Sequence, residues 1–138
     1  MSVKIQIEQV HPALTWRIRH EAMYPDMPFD SVKLPNDEEG IHFGLYADDQ
    51  LSAVVSLFEQ GESCQFRKFA TLPEYQGKGY GKLLLSHIID YVRNTGAKRL
   101  WCNARVIATG FYAPFGFNET KQRYTENGYD FVIMELAL

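Results

Sequence analysis

Phe66-Arg67-Lys68-Phe69-Ala70-Thr71-Leu72-Pro73-Glu74-Tyr75-Gln76-Gly77-Lys78-Gly79-Tyr80-Gly81-Lys82 is the stretch on which this chain's fold turns. Its first six residues have strand composition, Pro73 marks a turn, and three alternating glycines make a loop. From Gly81 onward the apolar residues Leu84, Leu85, Ile88, Ile89 and Val92 form one broad helical stripe. A glycine-rich loop entering a helix suits anion capture. Glycine lets the backbone approach closely, and the first N–H groups of the helix point outward with the positive end of its dipole. Spacing separates the chemistries that use this device. A Walker A loop requires a Ser or Thr after its Gly-Lys pair, and here Lys82 is followed by Leu83. A Rossmann loop requires Gly-x-Gly-x-x-Gly and an acidic residue about 20 positions later. Here the glycines are Gly77, Gly79 and Gly81, and the next strand leads into Asn103-Ala104-Arg105. Neither nucleotide motif fits.

Working outward, the strand that precedes the loop (63–71) closes a predicted meander with 41–47 and 51–60. Asp48-Asp49-Gln50 and Gln60-Gly61-Glu62 supply the turns. Upstream, residues 3–9 alternate as a short strand, and Pro12 opens a helix to Met23 with Leu14, Ile18 and Ala22 on one face. Residues 24–40 carry Pro25, Pro28 and Pro35 and read as mostly irregular, with room for one helical turn. Downstream, Asn94-Thr95-Gly96 ends the helix. Residues 99–103 form a strand, 107–115 a short helix, and 117–125 with 129–136 a hairpin around Asn127-Gly128. The expected class is α+β (α/β): a mixed, mostly antiparallel sheet of 6–7 strands with about 4 helices, in one domain over 1–138.

Composition narrows the function classes. With 138 residues, 46% hydrophobic and 22% charged, the chain suffices for one core. No window is apolar enough for a bilayer, and the first residues lack a signal peptide's apolar core, so a cytoplasmic protein with no membrane partner is expected. A net charge of −3 argues against a nucleic-acid partner. The loop region is nevertheless locally basic, with Arg67, Lys68, Lys78 and Lys82 against Glu74, whereas residues 26–39 are acidic. One small anionic ligand is the natural match. Cys64 and Cys102 are isolated and read as buried thiols, and no metal-ligand spacing is present.

The pattern Gln-x-x-Gly-x-Gly at Gln76, Gly79 and Gly81 resembles the pyrophosphate-binding signature of the GNAT superfamily of N-acetyltransferases. Leu100-Trp101-Cys102-Asn103-Ala104-Arg105, followed by Gly110-Phe111-Tyr112-Ala113-Pro114-Phe115-Gly116-Phe117, resembles a second block of the same family. Together with Arg19-His20 and His42-Phe43-Gly44, these residues are most similar to its glyphosate N-acetyltransferase-like branch. The resemblance implies acetyl-CoA as co-substrate and no metal. It places the backbone of Phe69, Ala70 and Thr71 against the acetyl-pantetheine arm, and the N–H groups of Gly77, Lys78, Gly79, Tyr80, Gly81 and Lys82 around the pyrophosphate. Lys78 or Lys82 would lie near the 3′-phosphate and Asn103 beside the pantetheine.

Transfer to an amine needs a neutral nucleophile, a polarised carbonyl and a proton for the departing sulfur. By resemblance, Tyr112 supplies that last proton. The branch carries a histidine entering its final strand where this chain has Gly128-Tyr129-Asp130, so Asp130 is the substitute candidate for the general base. His42, Glu59 and Glu21 are further candidates. Arg67 and Arg105 match arginines that clamp an anionic substrate in that branch, and Tyr24 stands at its third basic position. The expected partner is a small-molecule amine bearing an acidic group, with a homodimer left open. Two alternatives stay open: a protein or peptide N-acetyltransferase, and a non-catalytic acyl-CoA-binding module.

Overall fold

The computed structural model describes residues 2–138. In chain order its elements are β1 (Ile5–Val10), α1 (Ala13–Met23), β2 (Ile41–Ala47), β3 (Gln50–Gln60), β4 (Ser63–Thr71), α2 (Tyr80–Asn94), β5 (Arg99–Arg105), α3 (Thr109–Tyr112), β6 (Asn118–Glu126) and β7 (Tyr129–Ala137). The strands form one sheet in the order β1-β2-β3-β4-β5-β7-β6, antiparallel except where β5 runs parallel to β4.

The sheet packs α2 on one face and, over β3 and β4, α1 on the other, and period-two alternation decides what each face receives. Along β3, Ala53, Val55 and Leu57 join the larger core under α2, whose Leu84, Leu85, Ile88, Ile89 and Val92 are all buried. Burying each such side chain stabilises by about 1.5–3 kcal/mol. The opposite face of β3 presents Ser52, Val54 and Ser56 towards α1, where a smaller apolar cluster holds Ile18, Val54, Ala70 and Leu72. Of the face expected on α1, Leu14 is 49% exposed, while the buried positions are Thr15, Ile18 and Arg19. α1 therefore presses a partly polar stripe onto β3, and an apolar-only reading of its periodicity missed it.

Both tight turns form as expected. Asp48 and Asn127 have φ of 46° and 51°, each followed by a second positive-φ residue, Asp49 and Gly128. The helix expected over 107–115 is broken into a 3-10 turn at Val106–Ala108, the single turn α3, and another 3-10 turn at Ala113–Phe115. Pro114 cannot donate a backbone hydrogen bond there. Three α-helices with short 3-10 turns thus replace the four expected. Two of those turns, Phe29–Val32 and Asp37–Glu39, organise the segment from 24 to 40.

Candidate active site

β4 and β5 are in register only at Ser63–Arg99, Cys64–Leu100 and Gln65–Trp101, and beyond these pairs they separate. On its other side β4 carries a bulge. Val54 pairs with Ala70 and Ser56 with Arg67, so Lys68 and Phe69 together oppose the single residue Val55. Lys68 takes the left-handed conformation, φ 53°, that the bulge requires. The extra residue reverses the parity of the strand: Phe66 and Phe69 both reach the α2 core, and Ala70 turns to the α1 side. Backbone next to the splay is thereby freed from regular pairing.

A cavity of about 560 Å³ opens between the end of β4 and the start of α2, lined by the loop from Tyr75 to Lys82 except Lys78, and by Phe69, Thr71, Ala108, Phe111 and Tyr112. Gly77 and Gly79 have φ of 77° and 84°, and Cβ atoms added there would meet nothing within 4 Å. At Gly81 an added Cβ would meet only Phe111 at 3.5 Å and Phe69 at 3.7 Å, ordinary contacts, so no neighbour in the fold demands glycine. The bare surface faces the cavity. Gln76 braces the loop by donating its Nε2 proton to the Thr71 carbonyl at 3.0 Å. The first α2 hydrogen bond runs from Leu83 N–H to Gly79 O at 3.1 Å, and N–H groups at the head of a helix have no partner within it. A phosphate-bearing group with a slender arm fits this bare, donor-lined cradle.

Tyr112 forms the far wall. Its ring sits in an aromatic cluster, with centroids 5.7 Å from Phe66, 5.2 Å from Phe111 and 5.9 Å from Phe117. Burial drives its phenol well above the ordinary tyrosine value, and the neighbouring Cys102 adds to the shift. The hydroxyl therefore stays protonated and able to donate. Cys102 and Cys64 are buried free thiols, with burial lifting them to about 12 and about 11.

The sequence profile of the Acetyltransferase (GNAT) domain matches residues 16–138. The chain belongs to the GNAT acetyltransferase family. It is 27% identical over 124 residues to the uncharacterised N-acetyltransferase YitI of Bacillus subtilis, covering 83% of each chain. It is 30% identical over 109 residues to the [ribosomal protein bS18]-alanine N-acetyltransferase of Salmonella typhimurium, covering 73% of this chain and 74% of that one. In fold it matches a putative N-acetyltransferase from Lactobacillus plantarum with a TM-score of 0.85 at 22% identity, over 100% of this chain and 99% of the other. This GNAT protein is an acyl-CoA-dependent N-acetyltransferase.

The remaining expected residues divide by location. Thr71, Gln76, Gly77, Gly79, Tyr80, Gly81 and Lys82 line the cavity, whereas Lys78 is exposed outside its lining. Asn103 is exposed on the sheet face opposite Cys102 and Ala104, so the structure does not bring it to the cavity. On that same face lie Arg67 and Arg105. Ion pairs among the described residues engage other cations and leave these two out. The Arg105 guanidinium sits 4.1 Å from the Tyr129 ring centroid. Asp130 accepts a hydrogen bond from Thr125 Oγ1 at 2.7 Å and lines a second cavity of about 290 Å³ with Val106, Arg123, Tyr124, Thr125 and Phe131. The turn Val106–Ala108 contributes to both cavities.

His42 is a correction. It is 1% exposed under α1, with both ring nitrogens hydrogen-bonded, to Ser56 at 2.7 Å and to the Asp37 carbonyl at 2.8 Å. No free nitrogen is left to take a substrate proton. Glu21 pairs with Arg17 on the surface, and Glu59 lies exposed near the end of β3; neither lines a cavity. Tyr24 accepts a 3.4 Å hydrogen bond from Lys68 Nζ, the ammonium lying 4.8 Å from its ring centroid. Sequence reasoning missed Tyr75, Ala108 and Phe111 as cavity-lining residues, and it counted Lys68 only among the basic residues of the loop region. The parity change from Phe66 to Phe69 was the legible sign of the bulge that carries Lys68.

Proposed function

We propose that this enzyme acetylates the amine of a small molecule that carries an acidic group. The observation that carries the acceptor reading is the pair Arg67 and Arg105: two guanidiniums on one sheet face, beside the splay, with no carboxylate of their own. A guanidinium in that state favours a carboxylate or phosphonate, which it binds in a bidentate fork. The narrower resemblance to the glyphosate N-acetyltransferase-like branch supports the same class. The thioester of acetyl-CoA supplies the activated acyl group. N–H groups of residues 77–82, with Lys82 beside them, hold the phosphates, and Gln76 keeps their loop in place. The bulge turns the Phe69 N–H to the acyl carbonyl. Tyr112 Oη donates its hydrogen to the departing sulfur; its raised pKa makes it a hydrogen-bond donor to that charge more than a source of free protons. Asp130, on the second cavity, is our candidate to receive the amine's proton.

Thiol release from acetyl-CoA, measured over amino acids, aminophosphonates, neutral alkylamines and a peptide with an N-terminal alanine, tests this reading. Acidic amines should turn over fastest, and Arg67→Gln should raise their KM at least tenfold. Preference for the peptide or for neutral amines would overturn the acceptor assignment. Binding of acetyl-CoA with turnover of no amine would favour the non-catalytic alternative.

A further inference from the structure

α1, the 24–40 segment and β3 meet in a closed polar knot. Arg19 is 0% exposed. Its Nη1 donates to the Val32 carbonyl and to Asp37 Oδ2, both at 2.9 Å, and its Nη2 donates to Asp37 Oδ1 at 2.9 Å and Ser56 Oγ at 2.8 Å. Asp37 also accepts from Trp16 Nε1 at 3.0 Å and from the Leu34 N–H at 2.9 Å. Because a carbonyl only accepts, His42 Nε2 must carry the proton shared with Asp37 O. Burial favours the neutral ring, so Nδ1 is bare and receives the Ser56 hydroxyl proton. Every proton in the chain from Arg19 through Ser56 to His42 has one assignment.

Such a knot is a costly way to hold a helix. Apolar residues of the same volume would commonly stabilise as well or better, and Arg19 Nε is buried with no partner. What the knot gives is geometry, and the geometry leads to the catalytic side of the sheet. Ser56 is the register partner of Arg67, and the bulge at Lys68–Phe69 follows at once. Val32 and Asp37 both belong to the 24–40 segment, which begins at Tyr24, the residue touching Lys68.

We infer that Arg19 and Asp37 are positioning residues for the acceptor side of this site, seating from behind both the bulge with Lys68 and Phe69 and the segment with Tyr24. This rests on the reading that the acceptor binds beside that bulge. Trp16→Phe tests it gently, removing one donor to Asp37 while keeping a ring, and Asp37→Asn tests it severely. In Trp16→Phe, amide exchange at residues 24–32 and 67–70 should speed up at least tenfold. Exchange in α2 and the Kd for CoA should stay within twofold. The acceptor KM for the fastest amine of the panel should rise at least fivefold, with kcat nearly constant. Unchanged exchange at 67–70 would overturn the inference, and so would a uniform rise over the whole chain, including α2. If no amine turns over, the exchange pattern still decides on the positioning role, and only the acceptor assignment falls.

Discussion

Two arginines on the same side of the sheet, Arg19 of α1 and Arg67 of β4, occupy opposite states. Arg19 lies sealed under α1, its two terminal nitrogens shared among a carboxylate, a carbonyl and a hydroxyl. One strand away, Arg67 sits directly across from the Ser56 that Arg19 holds, and it has no carboxylate. The first state is closed: charge and tautomer are settled within the fold, and the Arg19 Nε that lacks a partner among the described residues is sealed from solvent. The second is open, and an open buried-edge charge is paired only by something arriving from outside. Tyr112 belongs with the open set. Its ring is fixed by aromatic neighbours, while among the described residues its hydroxyl has no hydrogen-bond partner. Polarity alone marks neither set as functional; an unmet valence that a ligand can reach does.

The sharpest way to break this contrast is to cut each arginine. Arg19→Met leaves the Asp37 carboxylate buried and unpaired, so we expect a loss of about 3–5 kcal/mol, read as a lowered urea midpoint. Arg67→Met should change stability by no more than about 0.5 kcal/mol, as surface changes usually do, while removing preference for acidic acceptors. Equal stability losses in the two variants would mean that Arg67 is as embedded as Arg19 and the contrast is false.

Next in size is the tyrosine. Tyr112→Phe should lower kcat about 100-fold, the low end for a positioned proton donor, and leave the Kd of CoA unchanged. Since the hydroxyl has no partner among the described residues, thermal stability should not fall. A drop in Tm with intact kcat would move Tyr112 into the closed set, as a core residue.

Acid probes the closed set by itself. Burial would raise the Asp37 carboxyl, but hydrogen bonds from Arg19, Leu34 N–H and Trp16 outweigh it and hold it at about 2, below an ordinary 3.8. A depressed carboxyl contributes stability that is present above the unfolded value and lost as pH falls towards the folded one. Burial lowers the His42 pKa below its ordinary 6.5, against the hydrogen bond to the Asp37 carbonyl that raises it. Its contribution has the same sign and begins to be lost below about pH 6.5. The stability curve should therefore decline gently from near pH 6.5 and more steeply between about pH 4 and 2, by on the order of 2 kcal/mol for Asp37. Asp37→Asn should remove the steep part. A curve unchanged in that variant would show that other carboxylates govern acid unfolding.

How much of this was legible depends on whether the signal is local. β2 and β4 end where the alternation and turns placed them, because each is bounded by residues with their own conformational demands, such as Asp48-Asp49. The glycine loop was legible for the same reason: Gly77 and Gly79 declare a backbone conformation before any tertiary contact forms. The knot was not legible. Arg19, Asp37, His42 and Ser56 come from four separate segments, and nothing near any one of them announces the others. The sequence therefore leaves His42 among the further candidates for the general base, and only the folded chain shows both its nitrogens engaged. For Asn103 the resemblance implies a place beside the pantetheine, while the alternation through Cys102 and Ala104 puts its side chain on the face opposite the α2 core.

The smallest expected effect returns to the loop and has two opposite signs. Gly81 lies in the first turn of α2, without the left-handed φ that Gly77 and Gly79 adopt, and an added Cβ would make only ordinary contacts. On the fold alone, Gly81→Ala should stabilise, by about 0.5–1 kcal/mol, because alanine restricts the unfolded chain and favours helix. If glycine stands there so that a phosphate can come close to the backbone, the same methyl should weaken acetyl-CoA binding several-fold. A higher Tm without ligand, together with a smaller Tm rise at saturating acetyl-CoA, is the expected pair of results. A variant that is more stable and binds acetyl-CoA as well as before would mean that the open face of Gly81 is not where the ligand lies.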